Sequence, residues 1–137
     1  MRTSALRIIP ITMIALALAA CSGPTSVADD TSPGTPDSDE LEIDPGSDGP
    51  TAFWINRGEL FGVVTWGSSS CPPVPTEMEG DAAVIRILFE PSDQEVCTAD
   101  MAPTTHTFTV PEEMTETPTS VEVRYSDWPD VDVLPLD

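Results

Sequence analysis

Three adjacent serines, one histidine and one aspartate are the residues of this chain that could build a hydrolytic centre. Ser68, Ser69 or Ser70 could act as nucleophile, His106 as general base and Asp100 as the group that orients the imidazole. A triad of this kind is defined by geometry and not by sequence position. The G-x-S-x-G turn that presents a nucleophilic serine is absent. We therefore expect a non-enzymatic protein without a catalytic residue, and a minimal serine hydrolase using His106 is the alternative.

The chain lacks the residues that several other kinds of catalytic and metal site require. The chain contains no lysine, which excludes a Schiff base and a phosphate-binding P-loop. Apart from His106 there is no imidazole for a transition-metal site. The aspartates at 37, 39, 44 and 48 lack the D-x-D-x-D-G spacing of an EF-hand loop. We therefore predict neither a metal nor a cofactor.

The N-terminal segment has the pattern of a secretory signal. Arg2 and Arg7 make it positive, and residues 8–20 form an almost wholly apolar run. That run is too short for a membrane-spanning helix, which needs about 20 residues. It closes on Leu18-Ala19-Ala20-Cys21, which resembles the lipobox of bacterial lipoproteins. The resemblance implies that residues 1–20 are a signal peptide, that Cys21 carries lipid such as palmitate, and that the protein sits on the extracytoplasmic face of the cell membrane.

The cysteine count agrees with lipid on Cys21. The chain has three cysteines, and an odd number in a secreted protein needs an explanation. Lipidation of Cys21 leaves Cys71 and Cys97 as a pair, which is expected to form a disulfide in an oxidising compartment. Two free thiols or two metal ligands are the alternatives for this pair, although a zinc site requires four ligands.

The charge of the chain restricts its partners. The net charge is -19, and removal of residues 1–20 would bring it near -21 because that segment holds two arginines and no acid. Only Arg57, Arg86 and Arg124 would then remain as cations. Such a surface cannot neutralise phosphates, so we predict no nucleic-acid partner. It also repels anionic headgroups, so the lipid on Cys21 must provide the membrane attachment.

Composition divides the remaining chain near residue 50. Residues 22–50 contain no aromatic residue and are rich in Pro, Gly, Ser, Thr and Asp. A segment of this kind cannot bury enough apolar surface to become ordered. We therefore predict that residues 21–50 are a lipidated cysteine followed by a disordered acidic linker. Every Trp, Phe and Tyr lies between Phe53 and Trp128, so residues 51–137 are predicted to form one small domain.

Several short runs in that domain alternate between apolar and polar residues, as half-buried strands do. Residues 83–90 place four apolar side chains on one face, and residues 105–110 place His106 and Phe108 together. Further strands are predicted over residues 52–56, 60–66, 120–125 and 131–136, with a hairpin turn at Arg57-Gly58. Met78–Asp81 and Pro111–Glu116 could each hold one helical turn at most. The pattern predicts an all-β fold, a small β-sandwich that is immunoglobulin-like or similar and carries one disulfide.

Two loops of this domain have distinctive sequences. Trp66 is followed by Gly-Ser-Ser-Ser-Cys-Pro-Pro, and Cys97 opens a Cys-Thr-Ala-Asp run that leads into a threonine-rich strand. The combination is similar to small, largely uncharacterised lipoproteins and secreted proteins of high-GC Gram-positive bacteria. The resemblance implies a compact extracellular domain and carries no activity with it.

The predicted disulfide would clamp loop 67–75 to segment 98–105. Prolines stiffen the loop, so that either a rigid strand-to-strand crossover or a recognition loop with a low ordering cost is expected. We predict that any partner, a protein or an envelope ligand, binds at this edge, and protease-inhibitor-like binding through loop 67–75 is one alternative. The predicted contact residues are Ser68, Ser69, Ser70, Val74, Asp100 and Thr104.

Overall fold

The computed structural model describes residues 23–36 and 49–137, and these form two four-stranded sheets. The predicted signal peptide, Cys21 and residues 37–48 of the predicted linker lie outside the described residues. The strands are β1 (Asp30–Pro33), β2 (Thr51–Asn56), β3 (Leu60–Gly67), β4 (Val74–Asp81), β5 (Val84–Glu90), β6 (Ala102–Thr109), β7 (Ser120–Tyr125) and β8 (Val131–Pro135). The described residues include no helix, and thus none that could cross a membrane.

The two sheets form the predicted β-sandwich. One has the strand order β1-β6-β3-β2 and the other β4-β5-β7-β8. All pairings are antiparallel except that of β5 with β7, which is parallel. Since a parallel pair cannot be joined by a tight hairpin, the chain crosses to the other sheet through β6 between these two strands. The all-β prediction is confirmed.

The core lies between the facing sides of the two sheets. Successive side chains of a strand point to opposite faces, so alternate residues of each strand enter the core. Phe61 and Phe108 pair across β3 and β6, and their rings stack with centroids 5.3 Å apart. The other members of this buried core cluster come from β3, β5 and β7 and from the C-terminus: Val63, Ile85, Ile87, Phe89, Val121, Val123 and Leu136. The predicted alternation in β5, β6 and β7 is confirmed.

The β2–β3 hairpin forms where it was predicted. Gly58 takes a φ of 82°, a left-handed conformation that glycine adopts without steric penalty. The Glu59 N–H donates to the Asn56 carbonyl across this turn at 2.9 Å. Behind the turn, the Phe53 ring lies against Gly62 on the neighbouring strand, and any side chain at position 62 would collide with that ring.

Strand β4 corrects the sequence-based expectation for residues 74–81. Val74 and Pro75 were assigned to loop 67–75, and Met78–Asp81 was given at most one helical turn, but the whole segment pairs with β5. Proline is tolerated because β4 is an edge strand, and the register shifts between Pro75 and Glu77. Exposed glutamates at 77 and 79 on the outer face concealed the strand pattern.

Strand β1 corrects the predicted linker. Residues 30–33 lie inside the segment that was expected to be disordered, yet they pair with β6 from Thr104 to Thr107. The carboxylate of Asp29 accepts hydrogen bonds from the Thr109 N–H at 2.6 Å and from its hydroxyl at 2.9 Å. The sandwich therefore includes part of the segment before residue 51.

We expect β1 to contribute measurably to stability. A chain that begins at Thr35 should unfold at lower urea concentration than one that begins at Gly23, with a free energy of unfolding lower by about 2 kcal/mol, because several hydrogen bonds of about 1 kcal/mol each are lost. The bare edge of β6 should also promote concentration-dependent association. Equal midpoints for the two chains, and equal sedimentation, would show that β1 adds nothing.

Candidate functional site

The strand pairing at one end of the sandwich brings the two distinctive loops together. Gly67, the last residue of β3, pairs with Ala102, the first residue of β6, so loops 68–73 and 91–101 leave neighbouring strands side by side. Cys71 and Cys97 are bonded, with their Cα atoms 5.5 Å apart. The predicted disulfide is therefore confirmed. We call loops 68–73 and 91–101, together with the turn 126–130, the disulfide end.

Hydrogen bonds reinforce the disulfide. The Ser68 and Thr98 hydroxyls lie 2.8 Å apart, and the Thr98 N–H donates to the Ser70 hydroxyl at 2.9 Å. The Ser69 N–H donates to the Asp100 carboxylate at 3.1 Å, and the Thr98 hydroxyl donates to the same oxygen. Hydrogen bonds from the Ser69 side chain, the Thr98 side chain and the Ser69 backbone lower the pKa of Asp100 to about 2. The two loops thus form one braced unit.

His106 lies in the core and away from these serines. Its Nδ1 lies 3.3 Å from the Thr31 hydroxyl and its Nε2 lies 3.1 Å from the Thr65 hydroxyl. It pairs with Val63, five residues before Ser68 on β3, which corresponds to roughly 16 Å along a strand. The components of the hypothetical triad therefore do not meet.

The environment of His106 favours its neutral form. The side chain is 1% exposed, and its ring meets the Phe89 ring edge-on at 5.1 Å. Burial lowers the pKa of His106 to about 4. A neutral imidazole between two hydroxyls is a packed polar element of the core.

Four of the six predicted contact residues come together, and two do not. Ser68, Ser69, Ser70 and Asp100 all belong to the braced unit. Thr104 is only 6% exposed inside β6, where strand pairing places it opposite Thr65, and Val74 is a half-buried residue of β4. The predicted contact edge is accordingly limited to loop 68–73 and the residues before β6.

Sequence reasoning missed two apolar side chains in loop 91–101. Val96 is 84% exposed and Met101 is 68% exposed, and neither is covered by the described part of the chain. Both stand among acidic and small polar residues, a contrast that the sequence alone displays. An exposed apolar residue beside a braced loop is a better indication of a contact surface than the serines, whose hydroxyls bond internally.

A groove of aromatic and acidic residues adjoins the disulfide. One open cavity of about 240 Å³ is lined by both cysteines, and its neighbour of about 310 Å³ is lined by Trp128 and Asp132. Trp66, Tyr125 and Asp127 border both cavities. Burial, together with the charges of Asp132 and Asp127, raises the pKa of Tyr125 to about 12. Its phenol therefore stays protonated at physiological pH.

Across residues 23–36 and 49–137, no three His, Cys, Asp or Glu side chains are grouped so that they could hold a metal ion. Comparison with protein-family models, with curated proteins and with solved structures gave no match.

The buried histidine makes stability depend on pH. In the unfolded chain the imidazole has a pKa near 6.5, whereas in the folded protein it binds a proton only near pH 4. The unfolded state thus binds more protons between these values, and stability falls by up to about 3 kcal/mol as the pH drops from 7 to 4.

Urea unfolding of the native protein and of His106→Gln across pH 7 to 4 measures this effect. We expect the difference in unfolding free energy between the two proteins to shrink as the pH falls, because only the native protein carries the titrating group. A constant difference across the range would contradict the buried neutral imidazole.

The carboxylate of Asp100 should control the order of loop 68–73. Asp100→Asn weakens the bonds from Ser69 and Thr98, so the Ser69 amide should exchange its hydrogen several-fold faster while the sandwich amides are unchanged. Glu95 is an exposed acid of loop 91–101, the loop that also holds Asp100, so Glu95→Gln is the matched control. It should leave the exchange rate of the Ser69 amide unchanged. Identical rates in both variants would show that the disulfide alone braces the loop.

Proposed function

We propose that this protein is a lipid-anchored, extracytoplasmic binding domain without catalytic activity, and that the disulfide end is its contact surface. The observation that carries the proposal is the braced loop pair. The exposed loop 91–101 and the half-buried loop 68–73 are held by a disulfide and by the Asp100 network although they contribute no residue to the core cluster. Order imposed on an exposed loop lowers the entropy lost when that loop binds.

The anchoring part of the proposal rests on the leader and on the cysteines. Leu18-Ala19-Ala20-Cys21 matches the lipobox pattern and follows a positive, short apolar segment. The pairing of Cys71 with Cys97 leaves Cys21 as the single remaining thiol of the chain. Disulfides persist in oxidising compartments, and this supports a site of action outside the cytoplasm.

The non-enzymatic part rests on how the reactive groups are used. The hydroxyls of Ser68 and Ser70 bond to Thr98, and the imidazole of His106 bonds to the buried Thr65 and to Thr31 of the edge strand β1. A serine nucleophile needs an activating base, and the base that the described residues bring within reach is the Asp100 carboxylate, whose pKa of about 2 makes it too weak a base to take the proton of a serine hydroxyl. We therefore favour binding over hydrolysis as the role of this end.

Protease-inhibitor-like binding through residues 68–73 is a second candidate. The exposed Ser69 between two braced neighbours is the feature that favours it, because a rigid loop resists the distortion that cleavage requires. Dose-dependent inhibition of a serine protease by the intact domain, abolished in Ser69→Glu, would support this candidate. Cleavage of the loop without inhibition would reject it.

Cys21→Ser should prevent attachment to the membrane. Stable anchoring requires more than one acyl chain, and the substituted cysteine would carry none. In phase separation with a nonionic detergent, we expect the native protein in the detergent phase and Cys21→Ser in the aqueous phase. The double variant Cys71→Ser/Cys97→Ser is the control and should still enter the detergent phase. Equal partitioning of the native and Cys21→Ser proteins would refute the lipid anchor.

A further inference from the structure

The described segment that follows Cys21 is bound to the sandwich along its length. The Val27 N–H donates to the Pro75 carbonyl at 2.8 Å, and the Asp29 N–H donates to the Thr107 carbonyl at 2.9 Å. The Gly34 N–H donates to the Pro103 carbonyl at 2.9 Å. These bonds reach both sheets, so residues 27–34 belong to the domain and cannot serve as a spacer between the lipid and the domain.

The first described residue lies at the disulfide end. Gly23 is in contact with Asp93 of loop 91–101, so closely that a side chain at position 23 would collide with the Asp93 carboxylate. Cys21 is two residues away, and two residues span at most about 7 Å. A lipid on Cys21 would consequently hold the membrane surface close to loop 91–101.

The loop brought to that position carries unusual side chains. Val96 and Met101 are among the most exposed large apolar residues in the described ranges. The disulfide fixes the residue next to Val96, so the apolar group is presented on an ordered support. Exposed apolar groups beside a lipid anchor can leave water by entering the interfacial region of the bilayer.

We propose that loop 91–101 docks on the lipid surface in which Cys21 is anchored, with Val96 and Met101 in the headgroup region. This proposal rests on the lipid anchor proposed above and names the partner of the disulfide end as the membrane itself. The anchor keeps the loop at high effective concentration near the bilayer, so that two apolar side chains suffice for contact.

The negative charge of loop 91–101 determines which lipid surface it can approach. Asp93, Glu95 and Asp100 surround the two apolar residues and are all exposed. Their interaction with lipid headgroups acts over a Debye length of about 8 Å at physiological ionic strength. The chain from Cys21 to Gly23 spans at most about 7 Å, so these acids would be held within range of the headgroups. The loop therefore suits a zwitterionic surface, and strongly anionic lipid would oppose docking.

The experiment places a fluorescent reporter at one or the other end of the sandwich, in two separate variants of the lipidated mature protein. Val96→Trp reports on loop 91–101, and Ile55→Trp is the matched control at the opposite end of the sandwich, where the native side chain is 48% exposed. Eight residues of β3 separate the two ends by roughly 25 Å. Each variant is bound to phosphatidylcholine vesicles with and without brominated acyl chains, and the emission of the unsubstituted protein is subtracted.

We expect brominated lipid to reduce the added emission of Val96→Trp at least two-fold and to leave that of Ile55→Trp unchanged. Equal quenching of the two variants, or no quenching in either, would overturn the docking proposal. If both proteins still float with the vesicles, the lipid anchor would remain supported. If neither protein floats with the vesicles while the folded state is retained, the proposed lipid anchor fails, and the docking inference fails with it. Flotation and quenching thus separate the two proposals.

Discussion

The pairing of β1 with β6 is the constraint on which the rest of this structure depends. Without β1, strand β6 would be an open edge of its sheet, and such edges invite association with other chains. The same pairing brings Thr31 to the Nδ1 side of His106, so the histidine is enclosed by threonines on both sides. It also places Asp29 beside Thr109, from where the preceding residues lead back to loop 91–101, which Gly23 contacts at Asp93.

The four inner strands were predicted from the sequence, whereas of the four edge strands β2 and β8 were predicted and β1 and β4 were not. In β5 the burial pattern alternates strictly from Val84 to Glu90, and hydrophobic periodicity alone identifies it. All four residues of β1 are exposed, so the apolar signal that identifies a strand is absent there. Its order comes from backbone pairing and from the bonds of Asp29 to Thr109, which depend on a partner 80 residues away. β4 was concealed for a related reason, because acids occupy its outer face.

In the candidate site, too, residue types could be identified from the sequence, whereas the strand register that sets their distances could not. Sequence identified Cys71 and Cys97 as a pair and placed the serines beside Asp100, since the disulfide alone brings those loops together. It could not show that His106 is displaced from the serines by five residues of β3, because register is set by the pairing of whole strands. The exposure of Val96 and Met101 was equally hidden, since an apolar residue in a polar loop can pack inward or remain in water.

These contacts distinguish one end of the domain from the other. The described segment from Gly23 runs along the sandwich and begins at the braced loops, so the proposed anchor and the proposed contact surface lie at the same end. Hydrogen exchange of the backbone amides of Asp29 and Gly34 in the mature protein tests this most directly. We expect both amides to be protected to a degree comparable with the amides of β6. Exchange of both at the rate of an unstructured chain would show that the segment is a free tether, and would contradict this expectation.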